Sequence, residues 1–89
     1  MADGERIRRK IAEIAERRNN VTLEEVAWVV QQLGQYYPVG VRAARHGKLF
    51  RIGSRRFMAN AHNPGGKNLK RYSVDDFIDA VTALGWYKD

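Results

Sequence analysis

His46 and His62 are the side chains of this sequence best suited to proton transfer near neutrality, because an imidazole is available there in both its forms. From Arg42 to Arg71 the chain carries nine lysines and arginines, both histidines and no carboxylate. The acid-free interval is longer still, running from Glu25 to Asp75. Formal charge is 0 over residues 1–25, +9 over 26–74 and −3 over 75–89, within a total of +6. Surfaces without a charged partner usually mix the two signs, so a one-sign field of this kind marks where a polyanion would be held. Two histidines with no nearby Asp or Glu make a poor metal-ligand set, and the absence of cysteine removes thiolate sites and disulfides. No cofactor is expected. Arg45, Lys48, Arg51, Arg55 and Arg56 around His46, with His62, Lys67 and Lys70 further along, are the candidate nucleic-acid contacts.

These residues need a scaffold, and 89 residues allow a single domain near the lower size limit for an unaided apolar core. Residues 5–18 read as a helix: Ile7, Ile11 and Ile14 recur on one face, and Glu5/Arg9 and Glu13/Arg17 are spaced for ion pairs. Asn19-Asn20 ends it. Thr22 and Glu25 form a capping box for a second helix with Leu23, Val26, Ala27, Val30 and Leu33 on its stripe, and Gly34 suits its C-terminal stop. Trp28 lies off that stripe, either packed on the first helix or exposed as a partner anchor.

Pro38 marks the change to extended chain. Val39, Val41 and Ala43 alternate with Gly40, Arg42 and Ala44. Lys48–Ile52 is a second strand, with Phe50 and Ile52 on one face and Leu49 and Arg51 on the other. Gly53-Ser54 is a two-residue hairpin turn. A third strand follows from Arg55 to about His62, ending at the breaker Asn63-Pro-Gly-Gly66, which is a turn rather than a nucleotide-binding fingerprint. The loop onward to Arg71 reads as polar, basic and mobile. Ser73 and Asp76 then signal a final helix burying Val74, Phe77, Ile78, Val81 and Leu84, stopped by Gly85. The expected fold is an α+β two-layer sandwich, α-α-β-β-β-α, with a three-stranded antiparallel sheet. Residues 1–89 form one domain: an N-terminal helix at 5–18 and a core at 20–85. The longest apolar run, Val26–Val30, is far too short for a membrane span, and no secretory signal is evident, so a cytoplasmic protein is expected.

Three stretches carry a resemblance. NVTLEEVAWVVQQLG, ARHGKLFRI and RRFMANAHNPGGKNLKRYSVDDFIDAV follow in the order and spacing of the HicA family of bacterial toxins, which the chain resembles over roughly Asn20 to Gly85. The family members are small mRNA interferases with a double-stranded-RNA-binding-domain-like (dsRBD-like) fold. The resemblance therefore implies a metal-independent RNA endonuclease acting on mRNA and neutralised by a HicB-type antitoxin. His62 falls on a second family histidine, and Lys67 or Lys70 on the family's loop lysines. The family's catalytic histidine, counted back from Phe50, falls on Gly47; His46 is one residue earlier. An offset of one residue reverses a side chain on a strand unless a bulge absorbs it, and glycine is a residue that hosts bulges.

In such an enzyme the RNA 2′-OH is the nucleophile. His46 would act as base, Lys48, Arg51 and Arg55 or Arg56 would stabilise charge, and His62 would terminate its strand. Two other readings stand beside this one. One is a non-catalytic nucleic-acid-binding module of the same fold; the other is a basic domain that binds an acidic protein.

Overall fold

The computed structural model describes residues 2–62 and 67–88. Its elements are α1 Gly4–Glu16, α2 Leu23–Leu33, β1 Val39–Ala43, β2 Gly47–Ile52, β3 Arg55–Asn60 and α3 Arg71–Ala83. The order α-α-β-β-β-α and an antiparallel sheet β1-β2-β3 are those expected. Among the described residues no helix is long and apolar enough to cross a membrane.

α1 begins where the Asp3 carboxylate accepts from the Arg6 amide at 2.8 Å, a cap absent from the sequence reading. Ile7, Ile11 and Ile14 are fully buried. The Glu5–Arg9 pair forms at 3.3 Å. The expected Glu13–Arg17 pair does not, because the helix stops at Glu16 and Arg17 leaves helical geometry at φ −118°, ψ 39°. Arg17 turns instead to Glu25, whose carboxylate also receives Lys10 at 2.9 Å. Glu25 therefore holds α1 to α2 while completing the capping box: Thr22 Oγ1 accepts from the Glu25 amide at 3.2 Å, and Glu25 Oε1 from the Thr22 amide at 3.1 Å.

α2 buries Val26, Val29, Val30 and Leu33. Trp28 is half-buried, with the Arg6 guanidinium 5.8 Å from its ring centre, so it packs toward α1. Gly34 stays right-handed at φ −59° and supplies no left-handed stop. A Cβ there would lie 3.2 Å from Val39 Cγ2, so the missing side chain lets the chain turn closely into β1.

Alternation along the strands divides the sheet into two faces. Phe50, Ile52, Phe57 and Ala59 are buried toward α2 and α3, while Leu49, Arg51, Arg56 and Met58 occupy the opposite face. The Phe57 ring lies 5.4 Å from Phe50 and 5.5 Å from Phe77, joining sheet to helix. α1 packs on both other helices. Gly53, at φ +61°, makes the two-residue turn between Ile52 and Arg55.

α3 starts two residues before the expected cap. Ser73 is fully buried inside it, and its Oγ accepts from the Asn60 amide at 2.9 Å. The serine thus joins α3 to β3 instead of capping. Val74, Phe77, Ile78 and Val81 are buried as expected, Leu84 partly, and Gly85 at φ +85° ends the helix. Trp86 then folds back: its Nε1 donates to Tyr37 Oη at 2.9 Å, and Arg8 stacks 4.6 Å from its ring.

Residues 67–70, expected to belong to a mobile loop, are tied on both sides. The His62 amide donates to Asn68 O at 3.0 Å, and the Lys70 amide to Asn60 O at 2.9 Å. On the other edge the Leu69 amide donates to Val21 O at 2.8 Å, and the Leu23 amide to Lys67 O at 3.0 Å. Leu69 is fully buried, and that lone apolar residue in a basic run was the available signal. Bridges Ala61–Leu69 and Thr22–Asn68 thereby continue the ladder beyond β3. The predicted breaker Asn63-Pro-Gly-Gly66 lies outside the described residues.

Candidate nucleic-acid interface

Extension of the ladder gathers residues that are distant in sequence at one end of the sheet. The β1–β2 turn carries Arg45 and His46, both exposed. The His46 carbonyl accepts from the Ala61 amide at 2.9 Å, which sets the turn beside the strand end bearing exposed His62. The tied segment adds exposed Lys67 and half-buried Lys70. Lys70 is also the N-cap of α3 and makes no side-chain cap bond, so the positive end of that helix dipole sits among these cations. The Lys70 ammonium lies 5.9 Å from the Tyr72 ring centre, and Tyr72 Oη accepts from Asn60 Nδ2 at 2.8 Å. Tyr72 is half exposed and offers an aromatic face at the site's margin. Nothing in the sequence pattern singles it out, because Ser73 reads as the start of the helix.

A second basic surface is the uncovered face of the sheet. Arg51 and Arg56 are direct cross-strand partners, with Gly40 opposite Arg51 on the other side. Arg51 Nε lies across Gly40, 3.9 Å from where a Cβ there would be, an ordinary contact distance. Arg42 follows in the next row, opposite Leu49, and the three arginines line a shallow groove of about 340 Å³. Arg42 was absent from the expected site, although its alternation with Val41 and Ala43 already placed it on this face. Like charges placed directly opposite in a sheet repel, and among the described residues none of the three has an ion-pair partner.

Two expected groupings are not made. Lys48 shares the face of Phe50, lying beside Ala27 and Gln31 of α2, and so is on the other side of the sheet from Arg51 and Arg56. Arg55, opposite Ile52, lines a cleft with Asp76 and Asp79 of α3. The interval without acids in sequence is thus not without acids in space.

No bulge at Gly47 absorbs the one-residue offset of His46. β2 pairs with β3 without interruption, from Gly47 opposite Asn60 to Ile52 opposite Arg55. Glycine is required there for another reason: a Cβ at Gly47 would fall 2.9 Å from Asn60 Cα and closer still to the Ala59 carbonyl. In this regular register the position of His46 stays one residue away from the family's catalytic histidine. Among the described residues the His46 side chain has no hydrogen-bond partner, and no three His, Asp or Glu side chains come together as metal ligands. No protein-family model, no curated protein and no solved structure matches this chain.

Proposed function

We propose that the protein binds RNA at the end of its sheet and acts there as a HicA-like, metal-independent ribonuclease with His46 as base. The observation that carries this reading is the Ala61–His46 hydrogen bond, 2.9 Å, together with the pinning of residues 67–70. These contacts set Arg45, both histidines, Lys67, Lys70 and the N-terminus of α3 at one end of the sheet. A phosphodiester lying there would be held by charge and by helix amides. His46 in its neutral form takes the proton of the 2′-OH. The 2′-oxygen then bonds to phosphorus as the bond from phosphorus to the 5′-oxygen breaks, leaving a cyclic phosphate on one product. The leaving oxygen takes its proton from water, and the imidazolium formed at His46 returns its proton to the solvent. Lys67 and Lys70 offset the charge that builds on phosphorus. In this reading a HicB-type antitoxin silences the protein by covering the same surface with acidic groups.

The test is cleavage of single-stranded RNA in excess chelator, comparing the parent chain with His46→Ala. A general base contributes about 10²- to 10⁴-fold, so cleavage should disappear while RNA affinity stays nearly unchanged. Full-rate cleavage by His46→Ala would remove His46 from the mechanism.

One observation favours a second reading, a nucleic-acid-binding module of dsRBD-like fold without chemistry. The position that the resemblance gives to a catalytic histidine is closed to any side chain, because a Cβ at Gly47 would collide with the β3 backbone. Salt-dependent RNA binding with no cleavage by the parent chain would select this reading.

A further inference from the structure

β1 is a free edge of the sheet, and its main chain is arranged to receive another strand. Among the described residues the sheet order is β1-β2-β3, and β1 pairs on one side only. Its bonding phase is set at both ends: the Gly53 amide donates to Pro38 O at 2.8 Å, and the Ala44 amide donates to Gly47 O at 3.0 Å. In an antiparallel pair the bonded residues alternate, so Gly40 and Arg42 turn their main-chain groups toward β2. Val39, Val41 and Ala43 turn theirs outward. No proline or bulge interrupts these five residues, and the only charge among them is Arg42.

The side chains flanking that edge differ on the two faces. On the helix side Val41 lies opposite Phe50, yet it remains 61% exposed because neither helix reaches over it. A groove of about 340 Å³ runs between α2 and β1, lined by Ala27, Val30, Gln31, Val39, Val41 and Lys48. On the opposite face the same edge presents Arg42, with Arg51 in the adjacent strand.

We infer that β1 is a docking edge for an extended acidic strand of a partner protein, one that alternates apolar with carboxylate side chains. Pairing with Val39, Val41 and Ala43 satisfies the outward amides and carbonyls. The period of two sends every second partner residue into the groove against Val41 and Ala27. The residues between them emerge on the face of Arg42 and Arg51, where a carboxylate is favoured. A second copy of this chain is the wrong occupant. Each chain carries +6 with no acid between residues 26 and 74, and pairing β1 with β1 would put two copies of Arg42 on one face. The inference does not depend on the RNA reading, since the edge and groove are distinct from the histidine end.

The experiment follows amide hydrogen exchange by NMR in the full chain, with a short capped peptide alternating valine and glutamate as probe. Its control has the same composition with all valines preceding all glutamates. Expected is binding of the alternating peptide alone. Exchange at Val39, Val41 and Ala43 should slow by about tenfold or more, with little change at the already bonded Gly40 and Arg42. Arg42→Glu should weaken binding by about tenfold or more. Val41→Lys, at an exposed position that leaves the fold intact, should do the same. Equal binding of the control peptide, or binding that leaves the three outward amides unprotected, would overturn the inference. So would protection of those amides by a single-stranded RNA oligomer, or in a peptide-free dimer detected by sedimentation.

Discussion

A Cβ atom placed on Gly47 would overlap the carbonyl oxygen of Ala59 on the neighbouring strand. The obstructing atom is backbone, so relief requires β2 and β3 to separate rather than one side chain to rotate. Gly47→Ala is therefore expected to destabilise the protein by about 3 kcal/mol, at the upper end of overpacking costs, read as a lowered Tm. Gly47→His should be worse and should not install a working base. A Gly47→His chain that melts like the parent and cleaves RNA would contradict this register.

Ser73 offers a second test, because it is a buried polar residue with a single evident task. Its Oγ accepts the Asn60 amide at 2.9 Å, and among the described residues no other acceptor takes that N–H. Ser73→Ala leaves a donor unpaired between β3 and α3 and should cost about 1 to 3 kcal/mol. Amide exchange at Asn60 should accelerate beyond the global change. If Ser73 were an N-cap instead, the acceleration would fall on the first turn of α3.

Glu25 predicts a specific pH dependence. Burial works to raise its pKa, but hydrogen bonds from Arg17, Lys10 and the Thr22 amide overcome this and hold it down at about 2, from an ordinary 4.5. A carboxylate depressed in the folded state stabilises the fold above its unfolded pKa and loses that contribution as pH falls through the folded value. The contribution is thus full above about pH 5 and gone near pH 2, and its size is on the order of 2 kcal/mol after allowance for solvent. Urea titrations should show the parent chain and Glu25→Gln differing by that amount at neutral pH and converging toward pH 2. A gap that stays constant with pH would assign the loss to shape rather than charge.

The two basic surfaces can be told apart by salt. If RNA lies at the histidine end, replacing Arg45, Lys67 and Lys70 with Gln should reduce the slope of log affinity against log salt by about 2, at ~0.7 per phosphate on a single strand. The matching triple of Arg42, Arg51 and Arg56 should leave the slope nearly intact. The reverse result would move the RNA to the uncovered face of the sheet.

Local patterns were sufficient wherever a residue's partner lies within a few positions along the chain. The Thr22–Glu25 capping box, the Gly53-Ser54 turn, the isoleucine stripe of α1 and the apolar face of α3 are all contained in short windows, because helical and strand periods repeat over two to four residues. Fold class and the division of the sheet into two faces were legible for the same reason. Charge was legible as a sum but not as a map.

Contacts between distant segments decided the rest. Glu25 took Arg17 away from Glu13, Asp76 and Asp79 came to lie beside Arg55, and Leu69 was drawn into the core between Val21 and Ala61. The role of Gly47 depends on the carbonyl of Ala59, and that of Ser73 on the amide of Asn60, twelve and thirteen residues away. In each case a buried polar group or a close backbone approach chose its partner after the chain had closed on itself, when unpaired donors and overlapping atoms acquire their full cost. A single sequence records which groups need partners; only the tertiary structure determines which groups stand near enough to be them.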